Sequence, residues 1–568
     1  MGEKFRKTAV AAIAGFSALA VAMPTAAVAK QAEPATPHVI GIDPLSYDDP
    51  AAIQAVYAPP ARSARAADPT ADARCGNPAP AAVPDGQPIV VQMPPAPAFT
   101  VGKINNSTWR NPPVSDPTWR MNYEGLMWMK PLARRAAQDG QLKSLNALVL
   151  QAIAFHRYNP DPGTNAYGWD EGTALRRLET LNCLYALTRN DNLRISMDMN
   201  AAVLLGKRYY GPPNYPVHNH GLMANLQLLR AAEILGGRTG WRSVAITRIV
   251  NDAPQAFSRE GISYEQSSAY QGGNASLWEQ AAVALENTSG QAANARKIRA
   301  TVDMAWRNYS FMTEPDGKIS QVGDSDEING RPLDLKSNRG LVDPQTGWAI
   351  GRWSWTDKNS PHYTIRFGPA RRAHGHEDRA GGVTWSIKGV RVLVGPGRYS
   401  YDKNNMYSRY QTRPDGQNVA VPNGGTVKGG TSTLTAKYAA TSHVFTVSDT
   451  VYGLRHSRGV TANSDSPRLV VSDQFTGASK WRQHWHLDPD WVKSSGSVGG
   501  GTMVFRHPPT GRMLTITTTG TIVSALRGSN DTRGPYGWHF PKFQTREPAW
   551  QLMVDNRSTW TVTTFRVS

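Results

Sequence analysis

The chain reads as an α+β multidomain protein, with helices first and antiparallel β-structure second. Three observations predict this. Its 568 residues exceed what one hydrophobic core usually supports. From about Trp119 to Met312, apolar residues recur at helical spacing. After Pro315-Asp316-Gly317 that period gives way to short β-rich runs divided by Gly, Asp, Asn and Pro turns.

The first segment, 1–29, has the form of a secretory signal. Lys4, Arg6 and Lys7 make a basic start, Thr8 to Met23 is apolar, and Ala27-Val28-Ala29 offers a small-residue cleavage site. Export is therefore expected. No later stretch approaches the ~20 apolar residues of a membrane span, so none is expected. Residues 30–105 form an Ala/Pro-rich leader or linker with polyproline character, in which Ile89 to Met93 has the composition of one short strand.

The helical domain is placed at 106–316. Helices are expected over Tyr123–Gln138, Leu142–Phe155, Thr173–Thr188, Leu193–Leu205, Gly221–Leu235, Trp241–Phe257, Leu277–Asn287 and Ala292–Met312, with breaks at 159–163, 211–216 and 235–240. Helices of this length on short loops describe a solenoid or toroid. The β-domain is placed at 317–568. Its runs include His362–Phe367, Val383–Ile387, Ser432–Tyr438, His443–Val447, Arg468–Val471, Gln483–Leu487, Met513–Thr518, Trp550–Asp555 and Trp560–Val567, as in a β-sandwich or stacked sheets. A cleft between the halves is the expected place for a site.

The formal charge is +18. Residues 1–29 hold two lysines, one arginine and one glutamate, so their removal leaves +16. A cationic exported chain attracts polyanions. Nucleic acid is disfavoured as a partner, because no nucleic-acid-binding motif is present and export argues against it. Oligomeric state is not readable from the sequence. Two cysteines, Cys75 and Cys183, permit one disulfide that would staple the leader to the helical body; buried free thiols are the alternative.

Three segments carry candidate chemistry. Val217-His218-Asn219-His220-Gly221 lies where a loop becomes a helix; Asn219 would serve either as a cap or, with His220, to bind a carboxylate and move a proton. Gly261 to Gln271 (GISYEQSSAYQ) is too polar for a core helix and holds Tyr264 and Tyr270. Ala373 to Asp402 holds His374, His376 and Asp378 with Arg371, Arg372, Arg379 and Arg398 close by. On a strand, His374 and His376 would share a face, and the cationic rim suits an anionic substrate. An HxH pair also suits zinc, with a third ligand from His456, His484, His486 or a carboxylate. No HExxH and no GxSxG occurs, which leaves zincin and α/β-hydrolase readings without support.

Together these segments resemble the heparinase II/III-like polysaccharide lyases. The resemblance rests on His218-Asn219-His220-Gly221 at a helix start, on Glu265-Gln266-Ser267 followed by Tyr270, and on His374 to Asp378 leading to Gly389 to Tyr401. Asp116-Pro117-Thr118-Trp119 extends it to about residues 115–568. It implies an incomplete (α/α) toroid followed by an antiparallel multi-sheet β-domain. It also implies β-elimination on a uronic-acid-containing anionic polysaccharide, with no required cofactor. Carried over, Asn219 with His374 neutralises the substrate carboxylate, His220 or Tyr270 is the base, and Tyr270 is the acid. Tyr410 falls where a second active-site tyrosine is expected. Glu265, Gln266, Arg176, Arg371, Arg372 and Arg409 are substrate-binding candidates. A structural zinc would draw on His376 and His456. Here Gly395 stands where the family has an aspartate and Gln417 where it has a histidine, which weakens that metal site. Two readings compete. A toroid glycoside hydrolase would need a facing pair of acids, drawn from Asp170, Glu171, Glu265 and Asp324; the other is a non-catalytic cell-wall or glycan-binding protein.

Overall fold

Asp116 and Pro117 open the helical half. The Asp116 carboxylate accepts from the Trp119 N–H at 2.9 Å, and Pro117 takes the first helical position, where its missing N–H costs nothing. A computed structural model describes residues 75–81, 88–91, 98–101, 109, 114–206, 217–331, 340–531 and 534–568. The export signal expected over 1–29 and the leader to residue 74 lie outside the described residues.

Among the described residues, nine helices lie between residues 117 and 311. They are α1 (Pro117–Glu124), α2 (Met129–Gln138), α3 (Leu142–Tyr158), α4 (Glu171–Thr188), α5 (Leu193–Leu205), α6 (Asn219–Leu235), α7 (Thr239–Ala256), α8 (Ser268–Glu286) and α9 (Ala292–Phe311). The helix expected over Tyr123–Gln138 is split, because the chain turns at Gly125-Leu126, where Leu126 takes a φ of 57°. α6 packs against both α4 and α8. α4 buries residues on every side, as an inner helix of a ring does. The arrangement is an incomplete (α/α) toroid.

The described part of the leader is built into that toroid. Ile89–Val91 and Phe99–Val101 pair antiparallel, and Val91, Val101 and Trp109 join the helical core. Trp109 packs on Tyr123 and Phe155 at centroid distances of 5.3 and 5.4 Å. Cys75 is disulfide-bonded to Cys183 of α4. This stretch is therefore part of a core and not a bare linker.

Among the described residues, the second half has three larger antiparallel sheets and two two-stranded ones, Ser529–Asp531 with Gly534–Tyr536 and Trp538–His539 with Glu547–Pro548. A five-stranded meander runs Leu341–Asp343, Trp348–Arg352, His362–Arg366, Val383–Ile387 and Val390–Leu393. An eight-stranded sheet has the spatial order Val492–Gly496, Thr502–Arg506, Met513–Thr518, Trp560–Val567, Arg468–Thr476, Arg455–Asn463, Ser442–Asp449 and Ser432–Tyr438. A four-stranded sheet has the order Thr521–Arg527, Trp550–Asp555, Trp481–His486 and Ala420–Pro422. One apolar core joins them: Trp385 and Val392 come from the first sheet, Val460 and Phe565 from the second, Leu552 and Val554 from the third. A short helix, α10 (Met406–Thr412), follows the meander. The described residues belong to one compact unit, and no helix among them is long and apolar enough to cross a membrane.

Candidate active site

Three helix N-termini converge where the two halves meet. Glu171 is the first residue of α4, Asn219 and His220 the first two of α6, and Tyr270 the third of α8. A helix start presents unpaired N–H groups and a partial positive charge, so this end of the ring favours an anion. The cap of α6 is His218, not Asn219: its Nδ1 accepts from the His220 N–H at 3.2 Å. Asn219 does not cap the helix; its amide Oδ1 lies 3.1 Å from His218 Nδ1, and its backbone N–H donates to Glu265 Oε1 at 2.7 Å. His220 Nδ1 lies 2.5 Å from Glu171 Oε1. With Nδ1–H donated to that carboxylate, Nε2 is the nitrogen left to accept a proton. Asp170, the neighbour of Glu171, is pushed up to about 6 by burial and then by the Glu171 charge. Arg176 donates to the Gly172 carbonyl at 2.8 Å. A Cβ on Gly172 would stand 3.4 Å from His220 Cε1 and 3.6 Å from Arg176 Nη1, which places Arg176 beside His220.

The β-half supplies the opposite wall. His374 and His376 lie in a loop and not, as expected, on a strand. What brings them together is Asp324. Its Oδ2 meets His374 Nδ1 at 3.0 Å, its Oδ1 meets His376 Nε2 at 3.0 Å, and Gln411 Nε2 donates to Oδ1 at 3.2 Å. Burial alone would raise the Asp324 carboxyl, but the two histidine bonds hold it well below the usual carboxylate range. An ionised carboxylate only accepts, so each histidine donates an N–H to it. Backbone bonds hold the wall together and join it to the helical half: Asp324 N–H donates to His374 O at 2.8 Å within the wall, and His374 N–H donates to Glu265 O at 3.2 Å across the junction. Gly323 permits this approach. It sits at φ 64°, and a Cβ there would lie 2.5 Å from Gln266 O and 2.6 Å from His374 O.

Across the junction, the rings of Tyr270 and His374 stack with centroids 3.4 Å apart and 8° between planes. Tyr270 and Tyr401 share a hydroxyl–hydroxyl bond of 2.9 Å, and Tyr401 stands edge-on to His374 at 5.9 Å. Burial raises both phenols; for Tyr270 the Arg398 charge and the Tyr401 bond oppose that rise. Glu265 Oε2 lies 3.7 Å from His374 Nε2, so an unbroken series of contacts runs from Asn219 through Glu265 and His374 to Tyr270.

Several expected residues take other parts. Tyr410 on α10 is 1 % exposed and bonds Gln551 Oε1 at 2.9 Å and His486 Nδ1 at 3.2 Å. It is a core tyrosine, and Tyr401 is the second tyrosine of the cleft. Gln266 is buried at a φ of 57°; its Oε1 accepts from Arg372 N–H at 2.7 Å and its Nε2 donates to Ala370 O at 3.2 Å. Its amide braces the loop before His374, and its side chain is buried there. Glu265 is likewise buried and committed to Asn219 and His374. Arg409 is exposed and donates to the carbonyls of Lys403 and Asn404. Arg371 and Arg372 are exposed on the loop that carries His374, where Arg371 Nε donates to Gly375 O at 2.6 Å and Arg372 lies over the Tyr264 ring. Asp324 and Tyr401 went unassigned in the lyase reading. Tyr401 closes the Gly389–Tyr401 motif and was visible there; nothing local in the sequence distinguishes Asp324 from other loop aspartates.

Neither a protein-family model nor a curated protein matches the sequence. Solved structures do match. Heparinase III superposes with a TM-score of 0.64 at 13% identity, over 81% of this chain and 79% of that one. The heparan sulfate lyase of Pedobacter heparinus gives 0.58 at 15%, over 89% and 84%. A heparinase III gene product solved with methylated lysines gives 0.60 at 14%, over 83% and 81%. The fold is that of the heparinase III-type lyases.

The zinc that the resemblance suggests does not fit this version of the heparinase III-type fold. A Cβ at Gly395 would overlap the Gln321 carbonyl oxygen, so no acidic side chain can stand there without moving that backbone. Gln417 spends its amide on Gln411 O at 2.6 Å and on His376 Nδ1 at 3.4 Å. His376 thus has partners on both ring nitrogens. His456 lies between Asp449 (2.6 Å) and Asp473 (2.8 Å). Burial lowers its pKa, but those carboxylates outweigh burial and the net shift is upward, which keeps protons on the nitrogens a metal would need. His376 and His456 have no partner in common. Among the described residues, no group of three or more His, Cys, Asp or Glu side chains is arranged to hold a metal ion.

Proposed function

We propose that the protein is an exported polysaccharide lyase that cleaves a uronate-containing anionic polysaccharide by β-elimination. One observation carries the reading: Asn219 at the start of α6 is linked through Glu265 to His374 of the β-half, which stacks on Tyr270 near the start of α8, and His220 stands next to Asn219 with Glu171 on its Nδ1. The chemistry fits these groups. The uronate C5 proton is acidic only when the adjoining carboxylate is neutralised, and the Asn219 amide beside the helix N-terminus serves that purpose. His220 Nε2 or the Tyr270 phenolate takes the C5 proton. The electron pair forms the C4–C5 double bond, the C4–O bond breaks, and Tyr270 returns a proton to the leaving glycosidic oxygen. Elimination with His220 as base uses two groups on different helices; elimination with Tyr270 as both base and acid uses one. Arg176, Arg371 and Arg372 supply cationic charge near this cleft for further acidic groups of the chain. The solved neighbours named for heparan sulfate make a glycosaminoglycan the first polymer to try.

The test is a panel of heparan, chondroitin, hyaluronan, alginate, pectate and glucuronan, followed by the ultraviolet absorbance of the unsaturated uronate. The expected result is a rise on at least one polymer, lowered by about 10²–10⁴-fold in Tyr270→Phe and in His220→Ala, the usual worth of a general acid or base. New reducing ends without that absorbance would establish hydrolysis instead. Binding without turnover on every polymer would make the protein a glycan-binding module.

A further inference from the structure

The hydroxyl pair Tyr270–Tyr401 has a direction, and the residues behind Tyr401 set it. Arg398 is clamped by Asp326 through two bonds, Nε to Oδ1 at 3.1 Å and Nη2 to Oδ2 at 2.6 Å. A forked pair of this kind fixes the guanidinium plane. The remaining terminal nitrogen, Nη1, donates to the Tyr401 hydroxyl oxygen at 3.3 Å. A guanidinium has no acceptor, so this bond runs one way. Tyr401 then holds a proton that needs an acceptor, and its hydroxyl's other partner is Tyr270 at 2.9 Å. Among the described residues, its ring also meets the edge of His374 and, at 6.1 Å, the Phe543 ring, neither placed to take that proton, and the Asp324 carboxylate acts on it through its charge without a hydrogen bond to its hydroxyl.

We propose that Asp326, Arg398 and Tyr401 form a one-way relay that makes Tyr401 the donor to Tyr270, so that Tyr270 keeps its own proton for the cleft and has a donor waiting when it gives that proton up. This deepens the lyase reading and rests on Tyr270 as its acid–base group; Tyr401 and Arg398 are positioning residues. Stacking on His374 fixes the Tyr270 ring, so only its hydroxyl proton needs to move. When Tyr270 is a phenolate, its charge is met by the Tyr401 O–H, itself polarised by Arg398. The other groups facing Tyr270 are Glu265 just before α8, Asp324 and His374 from the opposite wall, and Arg176 from α4. The two carboxylates resist the phenolate, which leaves the relay as its support from the β-half.

The experiment reads the ionisation of Tyr270 in two ways. The first is the pH profile of kcat/KM for the wild type, Tyr401→Phe and Arg398→Lys. The second needs no substrate: ultraviolet phenolate titration of each protein, minus the same protein carrying Tyr270→Phe. Tyr401→Phe keeps the ring against His374 and removes one oxygen, so a packing role alone would leave both readouts unmoved. The relay predicts that the Tyr270 ionisation moves to higher pH by about one unit, a tenfold change in its constant, as expected for loss of a charge-assisted bond. Arg398→Lys keeps the charge but loses the fork, and should give a smaller shift in the same direction. An unmoved ionisation in Tyr401→Phe overturns the proposal. So does a shift to lower pH, which is the outcome if Tyr270 were the donor. If no polymer is cleaved, the lyase reading fails, and the difference titration still decides the relay.

Discussion

Asp324 is the residue on which the β-side of the cleft turns. One buried carboxylate accepts from both His374 and His376, and so holds the imidazole that stacks on Tyr270 on the framework of its neighbour. The Asp324→Asn change keeps the size but replaces one acceptor oxygen by a donor, which then faces an N–H. Such a loss at a buried charged bond costs about 1.5–3 kcal/mol, so kcat should fall by roughly ten- to hundredfold. Steady-state kinetics check this, with circular dichroism confirming the fold. Tyr410→Phe is the contrast: it should cost about 1 kcal/mol in thermal or denaturant stability, for the lost Gln551 bond, and leave kcat unchanged. At this scale the residues that the fold brings to the junction of the two halves were legible where their motifs are local. His220, Tyr270 and His374 stand in short motifs with the right spacing. Asp324 was illegible because its role depends on a fold that brings residues 324, 374 and 376 together, and Tyr410 misled because its neighbourhood in sequence is not its neighbourhood in space.

At the scale of elements, the toroid was legible because its helices carry a 3.6-residue apolar period, while the start of α8 was not. GISYEQSSAYQ looks unlike a helix because its polar groups bond backbone and side chains of the β-half: Ser267 Oγ donates to Asp324 O at 2.9 Å, and Gln266 holds the loop at Arg372. The strand Arg455–Asn463 escaped for a related reason. It buries His456 and Arg458 against Asp449 and Asp473, so its apolar alternation is broken by charges that only the neighbouring strands explain. α4 shows how the elements support the site. It carries Glu171 and Arg176 at one end, and midway along it Cys183 is bonded to Cys75 across 108 residues. Closing a loop that long restrains the unfolded chain, so Cys75→Ser/Cys183→Ser should lose about 2–4 kcal/mol of stability. Thermal melts of that variant and of the reduced wild type should agree. A variant as stable as the oxidised protein would show that the leader's own packing through Val91 and Val101 suffices.

At the scale of the whole molecule, the seam between helices and sheets is electrostatic, and its balance depends on pH. Arg391 of the meander bonds Asp316 at 2.9 Å and Glu327 at 3.0 Å and lies 3.5 Å from Glu314, all in the segment that follows α9. Asp488 is buried on the same arginine. Burial pushes its carboxyl from the ordinary 3.8 up to about 7, against the pull of Arg391. Glu314 is also raised, by burial. Arg391, with Lys318 on Glu327 at 2.8 Å, thus faces four carboxylates, and burial favours the protonated form of Asp488 among them. Because the folded pKa of Asp488 lies above its unfolded value, the folded state binds the proton more tightly. The resulting stability is fully present below about pH 4 and is lost as pH rises from there to about 7. The contribution is on the order of a few kcal/mol across that window. Asp324 and Asp473 act in the opposite sense, since their depressed carboxyls contribute stability that is lost only as pH falls below about 4. The two effects therefore occupy different ranges and can be separated. In Asp488→Asn, which keeps an acceptor for the Asp490 N–H, the decline of the melting temperature between pH 4 and 7 should flatten relative to the wild type, while the acid limb below pH 4 stays the same. An unchanged slope between pH 4 and 7 would mean that Asp488 is ionised throughout and that Arg391 alone carries the seam.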